Sequence, residues 1–136
     1  MLIRKFYAYL LTSTILIPIM TLILLTTSDI PLSILIPIVG LYVLGGLFSF
    51  GVPTSVLSDV LTEKASPDKR SKLALILHTL FGMSFIFVLG LLADANSLFN
   101  DFAVFWSSMY LFFFSATLAA ILFWTFDEWV RKKRGR

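Results

Sequence analysis

Residues 73–93 read LALILHTLFGMSFIFVLGLLA, 21 positions without Asp, Glu, Lys or Arg. A helix of that length rises roughly 31 Å at 1.5 Å per residue. That matches a bilayer hydrocarbon core about 30 Å thick. Its polar residues, His78, Thr79 and Ser84, are scattered. A soluble amphipathic helix would gather them into a stripe facing water.

Three more uncharged stretches follow the same pattern: residues 6–28, 30–58 and 102–126, of 23, 29 and 25 residues. Each is long enough to cross once and too short to cross twice. Only helices and closed barrels satisfy every backbone group in lipid. Barrel strands alternate apolar and polar residues. Runs such as Ile15-Leu16-Ile17 and Phe112-Phe113-Phe114 do not. The expectation is an all-α integral membrane protein, a four-helix transmembrane bundle forming one domain over 1–136. The spans are expected at about 6–27, 32–52, 72–93 and 102–126.

Composition agrees. Hydrophobic residues make up 58% of the 136, and 14% are charged, against about 25% in ordinary soluble domains. There are 14 Phe and no Cys. This excludes a disordered chain, a disulfide-stapled secreted domain and a typical soluble enzyme.

The basic residues lie at Arg4 and Lys5, at Lys64, Lys69, Arg70 and Lys72, and from Arg131 to Arg136. The other two loops carry only Asp29, Asp94 and Asp101. By the positive-inside rule, both termini and the central loop lie in the cytoplasm of a plasma-membrane protein. The net charge of +3 belongs to these flanks and implies no nucleic-acid partner. Trp129, beside the basic tail, reads as an interfacial anchor. The apolar run after Phe6 exceeds the 7–15 residues usual for a signal peptide, and no Ala-x-Ala site follows. It is expected to remain as the first span.

Pro18 and Pro37 fall inside spans, where a kink is expected at Pro18. Regularity is expected to fail at Gly51-Val52-Pro53, because a residue before proline is steered from helical geometry. In 54–64, Val56, Leu57, Val60 and Leu61 share one face and Ser55, Asp59 and Glu63 another. That pattern suits a short interfacial helix after the second span, or a cytoplasmic extension of that span. Ser66-Pro67 opens the third helix as N-cap and first position. Asn100 or Asp101 is positioned to cap the fourth.

Small residues let membrane helices approach closely. Gly45 and Gly46 in span two, Gly82 and Gly90 in span three, and Ser115 and Ala119 in span four are the candidate packing positions. His78 is the one titratable residue inside an expected span, a functional candidate by default. It is expected either to relay protons or to bond as a neutral ring to Thr12, Ser13 or a backbone carbonyl on a neighbouring helix. Asp59 and Glu63, four apart, form a second candidate polar pair, with Lys64, Lys69 and Arg70 as ordinary partners. No acidic residue lies inside an expected span, which speaks against proton coupling of the small multidrug exporter kind. The sequence holds no His-Glu-x-x-His, phosphate loop or Gly-x-Ser-x-Gly, and no thiol. No enzyme activity, metal or cofactor is expected. An intramembrane enzyme would need Asp59 beside His78 around a cavity.

The run Gly51-Val52-Pro53-Thr54-Ser55-Val56-Leu57-Ser58-Asp59, with Arg70-Ser71, His78 and Phe81-Gly82, resembles an uncharacterised family of small four-span membrane proteins of bacilli. The resemblance covers the four-span plan, with its specific residues in about 51–82. It implies a membrane location in a Gram-positive cell and no assigned activity. The functional expectation is a non-enzymatic plasma-membrane protein. It would act by self-association or as an accessory subunit of a larger membrane complex, with the lipid bilayer and a membrane-protein partner or second copy around it. The alternative is a small oligomeric transporter or channel with His78 lining the pathway.

Overall fold

A computed structural model describes residues 2–134; Arg136, counted above in the basic tail, lies outside them. The elements are α1 (Leu2–Thr27), α2 (Leu32–Gly46), a π-helical turn (Leu47–Gly51), α3 (Val52–Thr62), α4 (Pro67–Ala93), α5 (Ala95–Asn100) and α6 (Phe102–Arg134). Four helical stretches are long and apolar enough to cross a membrane: Leu2–Thr27, Leu32–Thr62, Lys69–Ala93 and Phe102–Lys133. The all-α four-helix architecture is thus the observed one, and all four of its helices run past the expected spans at the charged end.

The break expected at Gly51-Val52-Pro53 is a π turn instead. Val52 N–H donates to the Leu47 carbonyl, five residues back. Pro53 has no N–H to continue the regular ladder, and the wider turn keeps the helix going. Residues 54–64 are therefore not a separate interfacial helix. Those up to Thr62 continue the second long helix, with faces inverted relative to a soluble helix, and 63–64 form a turn. Ser55, Ser58 and Thr62 are buried, whereas Leu57, Val60 and Leu61 are exposed. Apolar residues point outward where the surroundings are lipid, and hydroxyls turn in where they find partners.

The same inversion runs along α1, where Lys5, Ala8, Thr12, Leu16 and Met20 are buried while Leu2, Ile3, Phe6 and Leu10 are exposed. The central core joins Ala8, Leu16 and Met20 to Leu35, Val39, Val43, Leu47, Ala119 and Phe123. The connection between α4 and α6 contains α5, a short helix that the sequence reading does not anticipate. Asp94 accepts from Ser97 N–H and caps it. Asp101 accepts from Val104 N–H and caps α6, as expected. Ser66 occupies the N-cap of α4 without a side-chain bond, and Pro67 takes the first position.

The helices are unevenly paired. α1 packs on α2 and α6, and α4 packs on α6 and α3, while α2 lies apart from α4. Gly82 and Gly90 make the closest approaches among the described glycines. A methyl added at Gly82 would stand 2.6 Å from Ala120 Cβ and 2.8 Å from the Ala116 carbonyl. At Gly90 it would stand 2.6 Å from the Phe105 ring. These glycines pack within the chain, as do Ser115 and Ala119, both buried. Gly46 meets only the Phe85 ring, at 3.6 Å, and Gly45 meets nothing within 4 Å. The expected packing role of Gly45 is therefore not exercised inside this bundle.

Candidate functional site

Arg4 and Lys5 sit one helical turn from the start of α1. Asp59 and Ser55 are four apart on α3, so they share a face. Asp127 lies on α6 beyond the last long apolar run. The four helices bring these groups to one end of the bundle. Lys5 is 1% exposed. Its ammonium donates to Asp127 at 2.7 Å, to Ser55 Oγ at 2.6 Å and, more weakly, to the Ser55 carbonyl at 3.3 Å. It also pairs with Asp59 at 2.8 Å. Arg4 bridges the same two carboxylates, donating through Nε to Asp127 at 2.7 Å and through its terminal nitrogen to Asp59. Arg70 closes on Asp59 from α4 at 3.6 Å. Buried charges are costly unless each finds several partners, and here each carboxylate has at least two cations.

His78 joins this network through Ser55. Its Nδ1 stands 2.7 Å from the Ala74 carbonyl, and its Nε2 stands 2.9 Å from Ser55 Oγ. A carbonyl only accepts, so Nδ1 carries the proton. Ser55 Oγ accepts from Lys5, so its own proton is free for Nε2. The result is a directed chain in which Lys5 donates to Ser55, Ser55 to His78, and His78 to the Ala74 carbonyl. Phe123 stacks on the imidazole, with centroids 6.3 Å apart.

Beyond His78 lies a cavity of about 50 Å³, bordered by the π turn and by Thr54, Tyr42, Ser115 and Gly82. An apolar groove of about 430 Å³ between α2 and α4 lies beside it, and Tyr42, Gly46, Phe50 and Phe85 line both. Phe50 and Phe85 meet between the two spaces, with centroids 4.9 Å apart.

Among the expected site residues, His78 and Asp59 are brought to the two ends of one network. They do not form a pair; Ser55 is what His78 bonds. The expected partners Thr12 and Ser13 are not used. Thr12 Oγ1 is buried without a partner, and Ser13 donates to the Tyr9 carbonyl. Glu63 is exposed at the end of α3 and does not share a site with Asp59. Asp59 turns inward, and its cations are Arg4, Lys5 and Arg70 rather than Lys64 or Lys69. Lys5, Arg4, Ser55 and Asp127 are the residues that the sequence reading did not single out as a site. Among the described residues, no group of three His, Cys, Asp or Glu side chains is arranged to hold a metal ion.

No known protein family, characterised protein or solved structure matches this chain. None of these comparisons bears on the four-span family that residues 51–82 resemble.

Proposed function

We propose that this chain is a non-enzymatic protein of the plasma membrane, with both termini in the cytoplasm, that acts by lateral association with a second copy or a larger membrane complex. One observation carries the reading. The closely packing glycines are used inside the bundle, whereas Gly45 at the end of α2 and Ser49 in the π turn face outward, with no neighbour at Gly45. Small residues four apart on a lipid-facing helix allow another helix to approach closely. The Ser49 hydroxyl already donates to the Gly45 carbonyl at 2.7 Å, so this face carries no unmet donor into lipid.

The test uses the absence of native cysteine. Single cysteines at 45 and 49 should form an oxidative crosslink in membranes, to a copy or to a partner. One at the equally lipid-exposed Phe114 should not. A lone monomer on blue-native electrophoresis, with no crosslink at 45 or 49, overturns the reading.

Contact of His78 with the cavity favours a second reading, transport along that face. The network of Lys5, Arg4, Asp59 and Asp127 closes the charged end, so a pathway would require that network to open.

A further inference from the structure

We propose that the guanidinium of Arg70 holds the phosphate of one anionic phospholipid at the charged end of the bundle. The site belongs to the start of α4, away from the Gly45 face, and does not rest on lateral association.

The charge count at this end leaves one cation over. Arg4 and Lys5 each pair with both Asp59 and Asp127. Two carboxylates are thereby matched by two cations, and Arg70 is a third. It stands 3.6 Å from Asp59, beyond the reach of a hydrogen bond. Its Nε is buried without a partner. Its terminal nitrogens make no hydrogen bond either, yet they are open to the surface, and 28% of the side chain is exposed. A guanidinium in this position has its fork of donors unspent. Phosphate oxygens match that fork bidentately.

Depth points to a lipid as the source of the phosphate. Arg70 precedes the uncharged run 73–93 by three residues, about 4.5 Å of helix rise. Trp129 follows the uncharged run 102–126 by the same three residues. It is half exposed, and Lys133 Nζ lies 4.0 Å over its ring. Tryptophan at the end of a span belongs at headgroup level. Arg70 reaches the same level on α4, where lipid phosphates lie.

The surroundings favour an anionic lipid over a zwitterionic one. The connection 63–72 carries Lys64, Lys69, Arg70 and Lys72 against Glu63 and Asp68. On α6, Glu128 is already paired with Arg131 and Lys132. A headgroup ammonium would therefore meet an excess of positive charge. Ser66 makes no side-chain bond to the first turn of α4, and the positive end of that helix adds to the preference for an anion.

The probe is phosphatidylglycerol, offered in equal amount with phosphatidylcholine of the same acyl chains and read by native mass spectrometry of the detergent-solubilised protein. Phosphatidylglycerol should be retained in preference. Arg70→Gln should weaken its retention by roughly ten-fold, the scale of one hydrogen bond to a charged group. Arg70→Lys keeps the charge but loses the fork, so it should fall between. Lys69 and Lys72 are exposed neighbours; Lys69→Gln and Lys72→Gln should each change retention far less than Arg70→Gln. Phosphatidylglycerol should also raise the melting temperature of the unaltered protein by mass action, and inorganic phosphate should not. If Arg70→Gln fails to fold, that melting comparison decides. Equal retention of the two lipids, losses at Lys69 or Lys72 as large as at Arg70, or an equal effect of inorganic phosphate overturns the proposal. Crosslinking at 45 and 49 is read separately, so either result can fail alone.

Discussion

The Lys5 ammonium lies 2.7 Å from the Asp127 carboxylate, across 122 positions of sequence. This contact ties the first helix to the last at the charged end, where both residues are buried. Removing one member leaves the other with a single counter-charge, Asp127 with Arg4 and Lys5 with Asp59. Lys5→Met or Asp127→Asn should therefore each destabilise the bundle by about 1–3 kcal/mol. Lys5→Met combined with Asp127→Leu should cost less than the sum of the singles. Thermal unfolding in mild detergent would read all of these. Additive losses in the double variant would mean that the two residues act separately.

Ser55 connects this pair to His78. Ser55→Ala leaves the buried Nε2 without its donor and takes one of several acceptors from Lys5, so a loss of about 1–3 kcal/mol is expected. The hydrogen-bond directions also specify a tautomer. Imidazole nitrogen chemical shifts of labelled protein should show a protonated Nδ1 and a bare Nε2 in the wild type. A proton on Nε2 would mean that His78 donates to Ser55, and would overturn the assigned direction of that bond.

The sequence made the four helices legible because charge-free runs of 21 to 29 residues have few other solutions. It singled out His78 for the same reason, as the one histidine, which lies within such a run. It did not single out Lys5, Arg4 or Asp127, which read as ordinary flanking charges. A pairing across 122 positions has no local signature. Ser55 is one hydroxyl among several, and only its place opposite His78 makes it special. The inward polar face of α3 was visible as a pattern but was read against water. In lipid the same pattern points the other way. Pro53 announced a disturbance correctly, though periodicity alone does not distinguish a break from a π turn.

Glycine substitutions should separate packing from open surface. Gly82→Ala places a methyl 2.6 Å from Ala120 Cβ and 2.8 Å from backbone oxygen on α6. Backbone does not yield easily, and a loss of about 1–3 kcal/mol is expected from overpacking. Gly45→Ala meets nothing, so stability should stay within about 0.5 kcal/mol or rise slightly through helix propensity. Melting temperatures of the two variants in the same detergent suffice. Equal destabilisation would mean that Gly45 is packed after all.

Reagent access distinguishes a sealed bundle from a transport pathway. Phe85 and Leu89 line a groove open to the side, whereas Ala74 and His78 are buried behind the ion network. In single-cysteine variants of this cysteine-free chain, positions 85 and 89 should react with a membrane-soluble maleimide. A charged, water-soluble one should leave them unmodified. Positions 74 and 78 should resist both while Lys5 holds Asp59 and Asp127 together. Adding Lys5→Met should open 74 and 78 to the water-soluble reagent from the charged end. Reaction at 78 with Lys5 intact would instead mean that water already reaches His78, and the transport reading would then take precedence over lateral association.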